Sequence, residues 1–285
     1  MNGILIINKE SGWTSNDVVQ KVKHIVKEKV GHTGTLDPMA TGVLPLLIGK
    51  GTELSKYLIN HDKEYEVTLK LGIKTSTADS EGEVLEQKNV KKENLFEKNV
   101  KRVLDSFIGK NIQTPPIYSA IKVKGKKLYE YARSGQNIEI PKREIEIYNI
   151  TLKEIIENQN EIKFNVSCSK GTYIRSLAED IANKLETVGF MKELNRTKAG
   201  EFEIKDAVKV SNLSNNIEDN IITIEEFFKN NEKIFLNEKE LKMFLNGVKI
   251  DKVGSDDIYK IYQGDKFIGT GVIQNNKLKR DIVLS

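Results

Sequence analysis

Cysteine and histidine are scarce in this chain of 285 residues: there is one cysteine, Cys168, and three histidines, His24, His32 and His61. A lone thiol excludes an intrachain disulfide. The imidazoles and the thiol share no metal-ligand spacing, which argues against a zinc site, so neither a metal nor an organic cofactor is expected. Long apolar runs are missing as well. The opening "MNGILIINKE" has an unbroken apolar run only at 4–7, too short for a signal peptide or a membrane span. No membrane association is expected, and the cytoplasm is the expected location. Nor is charge of one sign abundant: 45 Lys and Arg against 41 Asp and Glu leave a formal +4. That balance permits a nucleic-acid partner, and any basic footprint must then come from local clustering. Phosphate loops are also absent. "GVLPLLIGKGT" (42–52) has a Gly-Lys pair, but no Walker spacing surrounds it, and no G-x-G-x-x-G occurs.

What is present is the patterning of a globular protein with strands and helices mixed, 38% hydrophobic and 30% charged. Residues 4–7 read as a buried strand. Ser15 reads as the N-cap of a helix carrying Val18, Val19, Val22, Ile25 and Val26 on one stripe. Residues 43–49 look strand-like, with Pro45 pointing to an edge or an irregular segment. In "EYEVTLKLG" (64–72), Tyr65, Val67, Leu69 and Leu71 alternate onto one face. Leu95 to Ile108 mark an amphipathic helix closed by Gly109. Ile162, Phe164, Val166 and Cys168 alternate again. A helix over 170–185 turns Ile174, Leu177, Ile181 and Leu185 inward, with Thr172 as its cap. The asparagine-rich 208–233 reads as a surface connection with a short helix. Short strand-like segments over 234–285 suit a small β-barrel.

Three stretches can carry chemistry. "GHTGTLDPMATG" (31–42) presents one acid, Asp37, among three glycines with Pro38 behind it. An Asp-Pro pair in such a loop is a turn former; it is equally a rigid mount for a nucleophilic or basic carboxylate. In "KGTYIRSL", Arg175 falls in the first turn of its helix, where the dipole disfavours a cation. A solvated arginine tolerates that placement, and a guanidinium paired with a carboxylate explains it. "QTPPIYSAIKVKGKKLYEYARSGQ" (113–136) interleaves lysines and Arg133 with Tyr118, Tyr129 and Tyr131. That composition is a solvated face or a nucleic-acid-contacting insertion.

Together these stretches resemble the TruB family of tRNA pseudouridine synthases, which isomerise the T-loop uridine at position 55. "GILIINKESGWTSNDVVQKVK" is similar to the family's opening motif and "VGHTGTLDPMATGVLPLLIGKGT" to its active-site motif. "DKEYEVTLKLGIKTSTADSEGEV", "QTPPIYSAIKVKGKKLYEYARSG", "SCSKGTYIRSLAEDI" and "LNRTKAGEF" follow in the family's order. The likeness covers roughly residues 3–206. Two positions depart from it: Glu10 stands where proline is usual, and Asn195 where a second arginine is common.

The resemblance implies an α+β fold, a mixed and mainly antiparallel sheet flanked by helices, with an RNA-binding insertion over about 110–140. It implies a catalytic domain over 1–232 and a PUA-like RNA-binding domain over 233–285. It makes Asp37 the catalytic acid and Arg175 its partner. Tyr65 would stack on the target base, although Val67 and Leu69 on the same face allow plain core. Tyr173 and Leu194 would line the pocket, His32 would sit by the space the flipped nucleotide leaves, and Lys9 would contact the substrate. The implied partner is tRNA through its T-arm, with a monomer needing no protein partner. Non-catalytic tRNA binding or chaperoning on this scaffold is the alternative. A guided RNA–protein enzyme is a second alternative, disfavoured by the 113–136 insertion that such relatives lack.

Overall fold

The computed structural model describes residues 1–213 and 217–284. The chain runs β1 (Gly3–Lys9), α1 (Ser15–Val26), β2 (Val30–His32), β3 (Thr41–Ile48), α2 (Ser55–Leu58) and β4 (Lys63–Leu71). A hairpin of β5 (Ile73–Thr75) and β6 (Val84–Gln87) leads to α3 (Glu97–Asp105) and β7 (Gly109–Gln113). Next come β8 (Lys122–Val123), β9 (Lys126–Lys127), α4 (Leu128–Arg133), β10 (Arg143–Ile156), β11 (Glu161–Cys168), α5 (Ile174–Lys184) and β12 (Gly189–Ala199). Short strands β13 (Phe202–Glu203), β14 (Val208–Lys209) and β15 (Ile221–Thr223) precede α6 (Ile224–Phe227). The last part holds β16 (Lys233–Phe235), α7 (Glu238–Leu245), β17 (Ile250–Asp251), β18 (Ile258–Gln263), β19 (Lys266–Gln274) and β20 (Lys277–Val283).

Eleven strands form one mixed sheet whose main path is β14-β1-β3-β12-β4-β11-β10-β7. Its pairings are antiparallel except β1 with β14 and β3 with β12. Alternation dictates which face is covered. Tyr65, Val67, Leu69 and Leu71 of β4 join Phe164 and Val166 of β11 and Ile174, Leu177 and Ile181 of α5 in one buried cluster. Each fully buried aliphatic side chain there stabilises the fold by about 1.5–3 kcal/mol. The second sheet, β16-β18-β19-β20-β17, is a curled half-barrel with its own apolar cluster under α7. It docks on the first through Asp281, which accepts from Tyr57 Oη at 2.7 Å and is paired with Lys56. No helix among the described residues is long and apolar enough to cross a membrane.

Several local expectations are corrected. Thr14, not Ser15, caps α1: its side chain accepts from the Asp17 amide at 3.0 Å while Asp17 answers the Thr14 amide at 2.9 Å. Ser15 is buried and bonds elsewhere. Pro45 lies inside the sheet rather than at its edge. Its carbonyl faces Thr33, just past the end of β2 at His32, so its missing N–H falls where the ladder has already stopped. The helix expected to close at Gly109 ends at Asp105, and Gly109 (φ 98°) instead opens β7. Thr172 does not cap α5, since its hydroxyl donates back to the Ser169 carbonyl. β7 pairs with β10 from Gly109 opposite Ile147 to Gln113 opposite Arg143, so residues 114–142 lie between the two strands. Nor is the segment after residue 208 only a surface connection. β14 and β15 both add to β1, and Val210, Ile217, Ile224 and Phe228 are buried.

Removing the true cap should therefore matter. Thr14→Ala is expected to cost about 1 kcal/mol in urea denaturation. An unchanged midpoint contradicts the capping box.

Candidate active site

The segment carrying Asp37 is neither helix nor strand, and side chains from distant elements fix it. Lys9, at the end of β1, is wholly buried and gives its ammonium protons to the carbonyls of Glu10 (3.0 Å), Trp13 (2.6 Å) and Pro38 (3.0 Å). The Gly12 amide also donates to Pro38 at 2.9 Å. Ser15 Oγ donates to the Leu36 carbonyl at 3.0 Å and accepts the Leu36 amide at 2.8 Å. Arg196, only 1% exposed, donates to Gly34 O at 3.0 Å and Val43 O at 2.7 Å. At Gly42 (φ +105°) a Cβ would lie 2.2 Å from the Arg196 carbonyl, so β3 can start against β12 only with glycine there.

Arg175 enters this loop from the first turn of α5. Its Nε lies 3.0 Å from Asp37 Oδ2 and its Nη2 3.3 Å from Oδ1, a two-pronged pairing. The remaining protons go to Tyr118 O at 3.0 Å and Thr77 O at 3.2 Å, with Asp79 Oδ2 at 3.7 Å from Nη1. Asp79 is buried and is itself held by Thr77 Oγ1 and the Glu81 amide. A cation in a first turn is thus offset by two carboxylates. Burial raises the Asp37 carboxyl above the ordinary carboxylate value; Arg175 opposes that shift and Asp79 adds to it.

A cavity of about 380 Å³ opens over this pair. Asp37, Tyr65, Tyr173, Arg175 and Leu194 all line it, so five of the seven residues singled out from sequence meet in one place. Tyr65 is 7% exposed, and burial pushes its hydroxyl up to about 12. Tyr118 and Tyr129 of the insertion complete the wall. Lys9, expected to contact the substrate, has no exposed surface and holds the loop through three carbonyl partners. His32 lies beside the cavity on β2, half-buried, with Nδ1 buried and unpartnered. The two unusual positions have structural roles: Glu10 accepts from the Ser211 amide and hydroxyl, and Asn195 bridges Thr41 and Glu66. Asp79, Lys63 and Arg196 were not singled out from sequence. An acid in a polar turn and cations in strands carry no mark of burial. Among the described residues, no three His, Cys, Asp or Glu side chains are placed to hold a metal ion.

Comparison with known proteins gives this geometry its family. The N-terminal domain of TruB family pseudouridylate synthases matches residues 22–174, and the C-terminal domain of tRNA pseudouridylate synthase B matches 175–234. The chain belongs to the TruB family. It is 45% identical over 279 residues to the tRNA pseudouridine synthase B of Clostridium tetani, covering 95% of each chain. It is 43% identical over 293 residues to that of Clostridium novyi, covering 100% of each. In fold it is similar to a chain in a Cbf5-Nop10-Gar1 complex, with 25% identity and a TM-score of 0.65 over 99% of this chain and 83% of the other. As a TruB-family tRNA pseudouridine synthase it is an isomerase, turning uridine into pseudouridine.

The buried lysine of this TruB-family enzyme makes stability depend on pH. Burial lowers Lys9 from 10.5 to about 8, with Asp37 and Glu81 partly opposing the shift. Between those values the unfolded chain holds more protons at this site than the folded one, so its contribution to stability rises with pH across that window and is flat below it. Urea denaturation from about pH 7 to about 10 should show the native protein gaining on Lys9→Met above about pH 8. A constant gap between the two contradicts the burial of a charged amine.

Proposed function

We propose that the enzyme acts on uridine 55 in the T-loop of tRNA, with Asp37 as the covalent nucleophile. The observation that carries this reading is the two-pronged Asp37–Arg175 pair at a cavity walled by Tyr65, Tyr173 and Leu194. A stacked uridine is out of reach, so the nucleotide must leave its stack and enter the cavity. Tyr65 then offers an aromatic face to the uracil, and Leu194 and Tyr173 confine it. Arg175 keeps the acid ionised and aimed. Asp37 bonds to the base or to the sugar and the N1–C1′ bond breaks; the uracil turns, C5 joins C1′, and the bond to Asp37 breaks to return the free carboxylate. C5 loses a proton and N1 gains one, so product and substrate have the same composition and no oxidant or reductant is needed.

The rest of the chain serves RNA binding. In the insertion Lys126 lies over Tyr131 and both Lys127 and Arg133 over Tyr129, a basic and aromatic surface suited to a hairpin loop. His32, beside the cavity, faces the space that the flipped nucleotide vacates. Residues 1–232 form the catalytic domain, and 233–285, beginning with β16 of the second sheet, a PUA-like RNA-binding domain. The enzyme acts as a monomer on the T-arm.

Pseudouridine mapping in a T-arm hairpin tests the reading. The native protein should modify uridine 55, and Asp37→Asn should lose on the order of 10³-fold or more in single-turnover rate while RNA affinity holds, since phosphate contacts dominate it. Modification elsewhere, or brisk turnover by Asp37→Asn, overturns it.

The pH profile is a separate check. Asp37 must be ionised, and burial raises its carboxyl. The single-turnover rate should therefore fall on the acid side above the ordinary aspartate value of about 3.9. A rate that stays flat down to that range is incompatible with this nucleophile.

A further inference from the structure

The cavity wall carries more positive charge than the Asp37–Arg175 pair uses. Arg196 is spoken for by carbonyls behind the loop, but Lys63 and Lys170 also line the cavity. Among the described residues neither ammonium has a carboxylate within 4.0 Å. Each has instead one neutral partner, and both partners belong to one turn. Lys63 Nζ donates to the His61 carbonyl at 2.6 Å, and Lys170 Nζ to Asn60 Oδ1 at 2.6 Å.

That turn, 59–62, is firmly mounted. The Ile59 amide donates to Ser55 O at 2.9 Å, the Gly200 amide to Asp62 O at 2.9 Å, and Tyr148 Oη to Asp62 Oδ1 at 3.0 Å. Lys63 also lies against the catalytic loop, because a Cβ built on Gly34 would sit 3.6 Å from its Cε. Its stem is half-buried, and burial together with the nearby Arg196 disfavours its charge. An ammonium with protons to spare, held at the mouth of an RNA enzyme's cavity without a counter-ion, is completed by an anion.

We propose that Lys63 and Lys170 form a phosphate clamp at the lip of the catalytic cavity, gripping one of the two phosphodiesters that flank the flipped uridine. The inference rests on the flipped-nucleotide reading above. Extrusion swings the backbone toward the cavity lip, and a clamp there offsets part of the cost of unstacking. Lysine suits such a clamp, since each ammonium is a point charge with rotatable donors, able to follow a phosphate as it arrives.

The test uses the full-length protein and T-arm hairpins in which a neutral methylphosphonate replaces the phosphate 5′ or 3′ of the target uridine. Neutralising the clamped phosphate should weaken binding to the native protein about tenfold. The same change should cost Lys63→Met and Lys170→Met less than about twofold, because the contact is already gone. Each variant should also flatten the salt dependence of log Kd by about 0.7. Lys170 is exposed, so Lys170→Met reads the clamp even if Lys63→Met fails to fold. Equal losses in native and variant proteins for both methylphosphonates overturn the clamp. Pseudouridine mapping on the unmodified hairpin runs in parallel: no product there sinks the proposed function, while the coupling is read from binding alone.

Discussion

A guanidinium and a carboxylate removed from water gain little unless every remaining proton and lone pair is also satisfied. The Asp37–Arg175 pair is under that constraint, and most of the site follows from it. Arg175 is 6% exposed, and its protons are divided among Asp37, Tyr118 O and Thr77 O with Asp79 close by. Those partners come from the glycine loop, the root of the insertion and the turn after β5, while the arginine comes from α5. Four segments far apart in the chain are therefore tied at one side chain. Displacing any of them leaves a buried charge short of a partner.

The loop bearing the acid has little regular structure of its own, and its rigidity is borrowed. Lys9 and Arg196 approach it from the ends of β1 and β12, and each spends its donors on backbone carbonyls rather than on carboxylates. This choice has an electrostatic consequence. Had either cation faced an acid, it would have neutralised itself; instead both leave positive potential around the cavity. Asp37 then sits among cations, which counters the effect of burial on its carboxyl. Lys9, which fixes the loop, thus joins Arg175 in helping to keep the carboxylate charged.

Periodic features were legible in the sequence because they depend on the residue's own element. The face of β4 and the stripe of α1 follow from alternation and helical spacing, and both are buried as the pattern dictates. Features that depend on a distant partner were not legible. Pro45 looks like an edge signal, yet it is tolerated because β2 stops at His32. Ser15 reads as a cap, yet its hydroxyl serves Leu36, 21 residues away in the chain. The asparagine-rich stretch reads as a connection, yet β14 and β15 extend the sheet beside β1. Asp37 stood out because glycine and proline frame it. Asp79 sits in a polar turn that any solvated acid could occupy, and nothing in its neighbours announces an arginine almost a hundred residues on.

A net charge of +4 is small for a protein that binds a polyanion. The arrangement of charge resolves this. Some surface lysines are matched by acids, as in Lys101 with Glu97 and Lys205 with Glu203. Such exposed pairs contribute little to stability or to long-range attraction. Around the cavity the balance is different: Arg175 is matched by Asp37 and Asp79, while Lys63, Lys170 and Arg196 have no carboxylate partner among the described residues. Inside a partly desolvated cleft each unmatched cation acts at higher strength than on the open surface. Under the proposed reading, attraction is strengthened at the cavity into which one nucleotide is drawn, beside the basic and aromatic insertion. Under that reading, selection of a single flipped residue depends on where the charges are left unpaired more than on how many there are.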